Sequence, residues 1–174
     1  MLNVSFVYLI GAAMDISVCE PVEWGDFIDI FIEMETYHNK NLTLSREDMA
    51  RYLNDKVFPA NSGTQVHKVI CDDRIVAFAC ISILHPSPRF SGQMFIKELF
   101  VSETFRGMGI GRRLMSHIAK TAQEKECLML DWLSVKTDKR VQDFYHSVGA
   151  KVVDGVNYHR LFGQAISDLA KADD

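Results

Sequence analysis

Cysteine and proline are scarce in this chain of 174 residues, four of each. Cys19, Cys71, Cys80 and Cys127 have neither CxxC spacing nor a neighbouring Cys/His quartet. That excludes a zinc ribbon and a disulfide framework, and apolar neighbours make them reduced, buried thiols of a cytoplasmic protein. The six histidines are scattered at 38, 67, 85, 117, 146 and 159, without ligand spacing, so no metal is expected. Basic residues never run beyond pairs such as Arg112-Arg113, and the formal charge is -4. Without a basic face to neutralise phosphates, no nucleic acid is expected as a partner. No apolar run reaches the roughly 20 residues that cross a bilayer. The longest candidate, within residues 2–10, is too short and has no basic segment before it, so no membrane association or secretory leader is expected.

What is present suits one compact core. The chain is 48% apolar and 24% charged, which excludes disorder. A domain of this length buries roughly 68–70% of the surface its unfolded chain exposes and needs no covalent staple. Residues 1–13 read as an N-terminal extension without an assigned role, 14–165 as the domain, and 166–174 as a C-terminal tail.

Alternation at Ile16 and Val18 predicts a strand over 15–19. Phe27, Ile30, Phe31 and Met34 form a helical stripe within 22–38, with Pro21 near its first turn. Ser45 is positioned to cap a second helix closed by Pro59, with Asp48 at the capping-box place. β-Branched runs on either side of Asp72-Asp73 predict a hairpin of 65–71 with 74–84. Pro86, Pro88 and Gly92 make 85–92 a loop. A strand over 95–101 follows, then a helix carrying Leu114, Ile118 and Ala122, then a buried central strand over 128–135. Val141, Phe144, Tyr145 and Val148 give a last main helix stopped by Gly149. Two short closing strands over 151–153 and 158–162 and a polar tail from Gly163 complete the expectation. Hairpins early and β-helix-β units late predict an α/β domain with a mixed sheet.

The chemistry concentrates in residues 100–114. A strand runs into Gly107, Gly109 and Gly111, alternating with apolar residues, and a helix opens. Successive backbone N–H groups can converge there on an anion, the helix N-terminus adds about +0.5 charge, and Arg106, Arg112 and Arg113 add charge-assisted donors. That describes a phosphate cradle. It is not a dinucleotide fingerprint, because Arg112 stands where the last glycine belongs, and it has no GK[ST] of a Walker loop. A purely structural tight turn is the competing reading of the loop alone.

Arg106-Gly107-Met108-Gly109-Ile110-Gly111 matches the R/Q-x-x-G-x-G/A signature of the GNAT superfamily of N-acetyltransferases. Residues 138–145, ending in Phe144-Tyr145 and followed by Gly149-Ala150, resemble that family's N-x-x-A-x-x-F-Y, with Asp138 in place of asparagine and Val141 in place of alanine. Leu130-Asp131-Trp132 and the run from Tyr158 to Phe162 are similar to the diamine and polyamine acetyltransferase branch. Together these cover roughly residues 15–165.

The resemblance implies a single α/β domain whose mixed central sheet has two splayed parallel strands, 95–101 and 128–135, and flanking helices. Acetyl-CoA would enter the gap between them as cosubstrate. Backbone groups of Leu99, Phe100 and Val101 would pair with the pantetheine arm. Arg106, Gly107, Met108, Gly109, Ile110, Gly111 and Arg112 would hold the pyrophosphate, with Asp138, Val141 and Tyr145 touching the cofactor from the later helix. The amine would attack the thioester directly, a strand N–H would meet the oxyanion, and the Tyr145 phenol would protonate the departing thiolate.

Where the polyamine branch has an acidic pair before the loop, this chain reads Lys97-Glu98. Glu98 is the candidate base, although plain strand alternation turns it away from wherever Lys97 points and only a bulge would bring it round. Lys97, Tyr37, Asp131 and Trp132 are the candidate substrate contacts, with Glu33, Glu35, His38 and Tyr158 nearby in the pattern; carboxylates with aromatics suit a cationic amine. The implied function is acetyl transfer from acetyl-CoA to a primary amine of a small molecule, whether polyamine, diamine or amino-acid-like. The alternatives are a protein or peptide acetyltransferase and a weakly catalytic acyl-CoA-binding module. A homodimer is one assembly that the resemblance allows.

Overall fold

Ser45 illustrates how local sequence builds the fold: its hydroxyl accepts from the Asp48 N–H at 3.0 Å and donates to the Asp48 carboxylate at 2.7 Å, starting a helix at the next residue. The structure, a computed structural model, describes residues 14–40 and 45–171. The expected extension at 1–13 and the last three residues of the expected tail lie outside them. The chain divides into two compact units, residues 1–135 and 136–174.

In the first unit, β1 (Met14–Val18) leads through a 3-10 segment (Pro21–Phe27) into α1 (Ile28–His38). Next come α2 (Arg46–Tyr52), continued by a wider turn over Leu53–Val57, then β2 (Gln65–Cys71) and β3 (Arg74–Ser87). β4 (Ser91–Val101), α3 (Ile110–Glu124) and β5 (Cys127–Trp132) complete the unit. The five strands form one sheet in sequence order, antiparallel as far as β4, with β5 parallel to β4. This is the expected mixed sheet with flanking helices. The β2–β3 turn is tight because Asp72 and Asp73 both take left-handed backbone, φ 48° and 58°, which matches the twist of the strands they join.

Residues in register share a face of the sheet. Val66, Phe78, Cys80 and Phe100 bury one face against Phe27, Phe31 and Met34 from the first helical layer and Met49 and Leu53 from the second. The Phe31 ring stacks on Phe78 with centroids 4.4 Å apart. The other face takes α3, which buries Ile110, Leu114, Met115 and Ile118 and touches β3, β4 and β5.

Three expectations need correction here. Residues 85–92 are not a loop: β3 continues to Ser87 and the connection shrinks to Pro88–Phe90. The register slips between the Leu84–Gln93 and Ser87–Ser91 pairs, so Pro86 sits in an irregularity where its missing N–H costs no ladder bond. β5 is not central and stops at Trp132; among the described residues it is the edge of the sheet.

The second unit carries α4 (Lys139–Ser147) and α5 (Gln164–Ala170). The Asp138 carboxylate caps α4 by accepting from the Val141 N–H at 3.1 Å, and Gly149, φ 89°, follows its end. The closing strands expected over 151–153 and 158–162 do not form. Val152, Val153, Tyr158 and Phe162 are exposed, and within this unit no ladder supplies the backbone partners that a strand needs. The expected polar tail is instead helical over α5, whose alanines and leucine favour that state.

Candidate active site

β4 changes face within its own length. Cys80 pairs with Glu98 but Ile81 pairs with Ile96, so Lys97 is the extra residue of a bulge. Glu98 thereby joins Cys80 and Phe100 on the face covered by α1 and α2, while Met94 and Ile96 face α3. At the same point the sheet opens: the β4–β5 pairing ends at Ile96 opposite Trp132, yet β4 runs on to Val101. The backbone of Leu99, Phe100 and Val101 thus has a strand edge beyond the reach of the β5 ladder.

The chain leaves that edge through a short turn and enters the cradle. Gly107 and Gly109 have φ 78° and 79°, a conformation that only glycine adopts without strain. A Cβ built on either would meet nothing within 4 Å, so open space lies in front of the loop. Gly109 is the N-cap of α3, and no side chain caps the helix. The first-turn amides of Ile110 and Gly111 have no intrahelical acceptor, and the helix dipole adds positive potential there. Uncapped amides behind open space fit a pyrophosphate.

Two anchors fix the approach to this loop. The Glu33 carboxylate of α1 accepts from the Ser102 hydroxyl at 3.0 Å and from the Glu103 N–H at 2.9 Å. Arg106 folds back: its Nε donates to the Val101 carbonyl at 2.9 Å, and its guanidinium lies 4.3 Å from the Tyr37 ring centroid and 5.3 Å from that of Phe100. Arg106 and Tyr37 therefore hold the end of β4 against α1.

On the α1/α2 face, Lys97 Nζ donates to Glu98 Oε1 at 3.0 Å; the Lys97 side chain is 72% exposed and that of Glu98 32%. Burial pushes the Tyr52 phenol above its ordinary pKa, with the charges of Glu35 and Glu98 acting the same way and that of Lys97 against them. Burial, followed by the charge of Glu98, also pushes the Cys80 thiol far up, so it stays protonated and is no nucleophile. Tyr52 was not singled out from sequence; the signal was its place one turn after buried Met49, at the end of a short helix.

Asp131 pairs in register with Phe95, on Glu98's face, and its carboxylate accepts from Gln93 Nε2 at 2.6 Å. Trp132, paired with Ile96, falls on the opposite face. Asp138, Val141 and Tyr145 belong to the second unit, where Asp138 serves as the helix cap and Tyr145 is half-buried in α4. A cavity of about 390 Å³ between α3 and β5, beside Ala119, Ala122 and Leu128, contains none of the predicted site residues. Among the described residues, no group of three or more His, Cys, Asp or Glu is arranged to hold a metal ion, and no helix is long and apolar enough to cross a membrane.

The sequence model of the acetyltransferase (GNAT) family matches residues 26–150. The chain belongs to this family. An integron cassette protein from the mobile metagenome of V. cholerae superposes on this GNAT chain with a TM-score of 0.89 at 37% identity, covering 93% of this chain and 100% of that one. Thialysine N-epsilon-acetyltransferase of Bos taurus is 29% identical over 80 residues, 44% of this chain and 47% of the bovine protein. L-ornithine N5-acetyltransferase of Arabidopsis thaliana is 24% identical over 135 residues, 77% of this chain and 53% of the plant protein. The chain spans about half the length of these curated relatives. GNAT acetyltransferases use acetyl-CoA, which accords with the uncapped cradle and with the stretch of β4 that runs on beyond the β5 ladder.

Proposed function

We propose that this chain transfers the acetyl group of acetyl-CoA to a primary amine of a small molecule. The observation that carries the reading is the conjunction at the end of β4: a strand edge released after Ile96, a glycine-opened helix start without a side-chain cap, and a carboxylate turned to the other face by a bulge. The backbone of Leu99, Phe100 and Val101 takes the pantetheine arm as an added strand. The amides from Gly107 to Arg112 take the pyrophosphate, with Arg106 bracing the loop. The resemblance of residues 138–145 to the family motif assigns Asp138, Val141 and Tyr145 to the cofactor as well.

On the acceptor side Glu98 receives the ammonium and then its proton, while Lys97, Tyr37 and Asp131 shape the pocket; Trp132, on the α3 face, stands apart from it. Attack on the thioester carbonyl forms the carbon–nitrogen bond, collapse of the tetrahedral intermediate breaks the carbon–sulfur bond, the Tyr145 phenol protonates the departing thiolate, and the second proton lost by the nitrogen restores the phenol, so that the net proton released is the one taken by Glu98. The relatives whose names specify thialysine and ornithine support a small amine as the partner, and the net charge of -4 speaks for that over nucleic acid. We read residues 14–165 as the acetyltransferase domain and its location as cytoplasmic, and a homodimer is one assembly that the family resemblance allows.

The test is release of CoA thiol from acetyl-CoA across a panel of diamines, polyamines, amino acids and lysine peptides. Saturable release with a small amine is expected. Release with peptides alone would move the acceptor to proteins, and no release despite acetyl-CoA binding would leave a binding module.

A further inference from the structure

The turn between β4 and the cradle is held by one face of α1. Residues 102–106 leave the sheet where the Ser102 N–H donates to the Val76 carbonyl at 2.9 Å. Beyond that bond the half-buried Glu33 takes over: one carboxylate oxygen, Oε1, accepts from both the Ser102 hydroxyl at 3.0 Å and the Glu103 N–H at 2.9 Å. Tyr37, one turn further along α1, carries the Arg106 guanidinium 4.3 Å from its ring centroid, and Arg106 Nε closes the turn onto the Val101 carbonyl at 2.9 Å. Residues four apart share a helix face, so a single face of α1 holds both ends of the turn, and Gly107 follows at once.

A carboxylate is a surprising anchor in this place. It fastens the chain just ahead of a glycine loop built for an anion, and its charge opposes a pyrophosphate. The sequence pattern groups Glu33 with acidic residues suited to a cationic acceptor, yet both of these hydrogen bonds go to the turn. A loop that binds through backbone amides gains affinity when it is ordered before the ligand arrives, because binding then carries no ordering cost. Positioning and repulsion thus act on the cofactor with opposite signs, which makes them separable.

We propose that Glu33 is a positioning residue of the cofactor site: through Ser102 and Glu103 it fixes the turn that delivers the amides of residues 107–112 to the pyrophosphate. This rests on the acetyl-CoA reading above and extends its binding machinery from the glycine loop to α1. Glu33 touches neither the cofactor nor the amine and acts through the turn alone.

The experiment measures the Kd of CoA by calorimetry on the folded full chain, together with the KM of the panel amine that has the highest kcat/KM. Glu33→Ala weakens CoA binding at least about tenfold, the cost of ordering an unheld turn, and leaves the amine KM at saturating acetyl-CoA unchanged. Glu33→Gln keeps an acceptor oxygen in the same place without the charge, so it binds CoA as tightly as wild type or more tightly. Ser102→Ala removes one of the two bonds and leaves Glu33 in place; it weakens CoA binding roughly threefold, and most of that effect disappears in the Glu33→Ala background. CoA binding unchanged or tighter in Glu33→Ala, or unchanged in Ser102→Ala, makes the carboxylate a bystander charge. An amine KM raised in both Glu33 variants with CoA binding intact returns it to the acceptor side. Either result overturns this inference while leaving the cofactor reading standing; a wild-type chain without affinity for CoA overturns both.

Discussion

Glu98 lies opposite Cys80 across β3 and β4, while Ile81, the next residue of β3, lies opposite Ile96. This difference of one residue decides where the carboxylate points. Under continuous alternation Glu98 would share the face of Met94 and Ile96, beneath α3. The bulge at Lys97 reverses the phase and brings Glu98 to the face of Glu35 and Tyr52.

Gly109 tests the cradle. Its φ of 79° makes any side chain strained, at roughly 1–2 kcal/mol to the fold, and its Cβ direction is open. Gly109→Val should remain folded and lose at least about tenfold in acetyl-CoA affinity, or about 1.4 kcal/mol. Calorimetric titration of the folded variant measures this. Unchanged affinity would remove the loop from phosphate binding.

Tyr145→Phe deletes one oxygen from a half-buried residue of α4 and keeps the ring. Stability should change little, while kcat falls by roughly 10²–10⁴, the usual share of a general acid. Equal turnover under conditions where chemistry is rate-limiting would exclude the phenol from the reaction.

The fully buried His67 sets an acid limit on stability. Its ring meets His117 of α3 at 3.0 Å and Gln65 at 3.0 Å, and burial, reinforced by His117, pushes its pKa down to about 4. The folded state therefore binds this proton less readily than the unfolded state. Above about pH 6.5 the group contributes nothing; below it the unfolded chain gains a proton that the fold refuses, and stability falls until about pH 4, by up to about 3 kcal/mol. Urea midpoints of wild type and His67→Leu should differ progressively as pH falls through that window, with the leucine variant losing less. Parallel pH profiles would contradict the assignment.

The elements that could be read from sequence were those whose signals are local. Ser45 with Asp48, Asp72-Asp73 and Gly149 each fix a helix or turn end through their own backbone chemistry, and α3 was predicted from its apolar stripe. The long β3–β4 hairpin was missed because Pro86 reads as a strand breaker, and only the partner strand reveals that it falls at a register slip. The strands expected over 151–153 and 158–162 were drawn from β-branched and aromatic content, yet a strand is completed by a ladder that these residues do not find within their own unit. In the site, the cradle glycines were legible because positive φ constrains residue type. Tyr52 and the folding back of Arg106 onto Tyr37 were not, since both depend on contacts between α1, α2 and β4 that are distant in sequence.

The central claim, that the bulge of β4 gives the acceptor amine a carboxylate for its proton, is tested most directly by kcat/KM of Glu98→Gln against pH with the best amine from the panel. Alkylammonium groups titrate near about 10.4, so without a base the reaction waits for the rare free amine. The variant should fall by about 10²-fold or more near neutrality and recover as pH rises. A Glu98→Gln enzyme with the wild-type value and the wild-type pH profile would contradict the account.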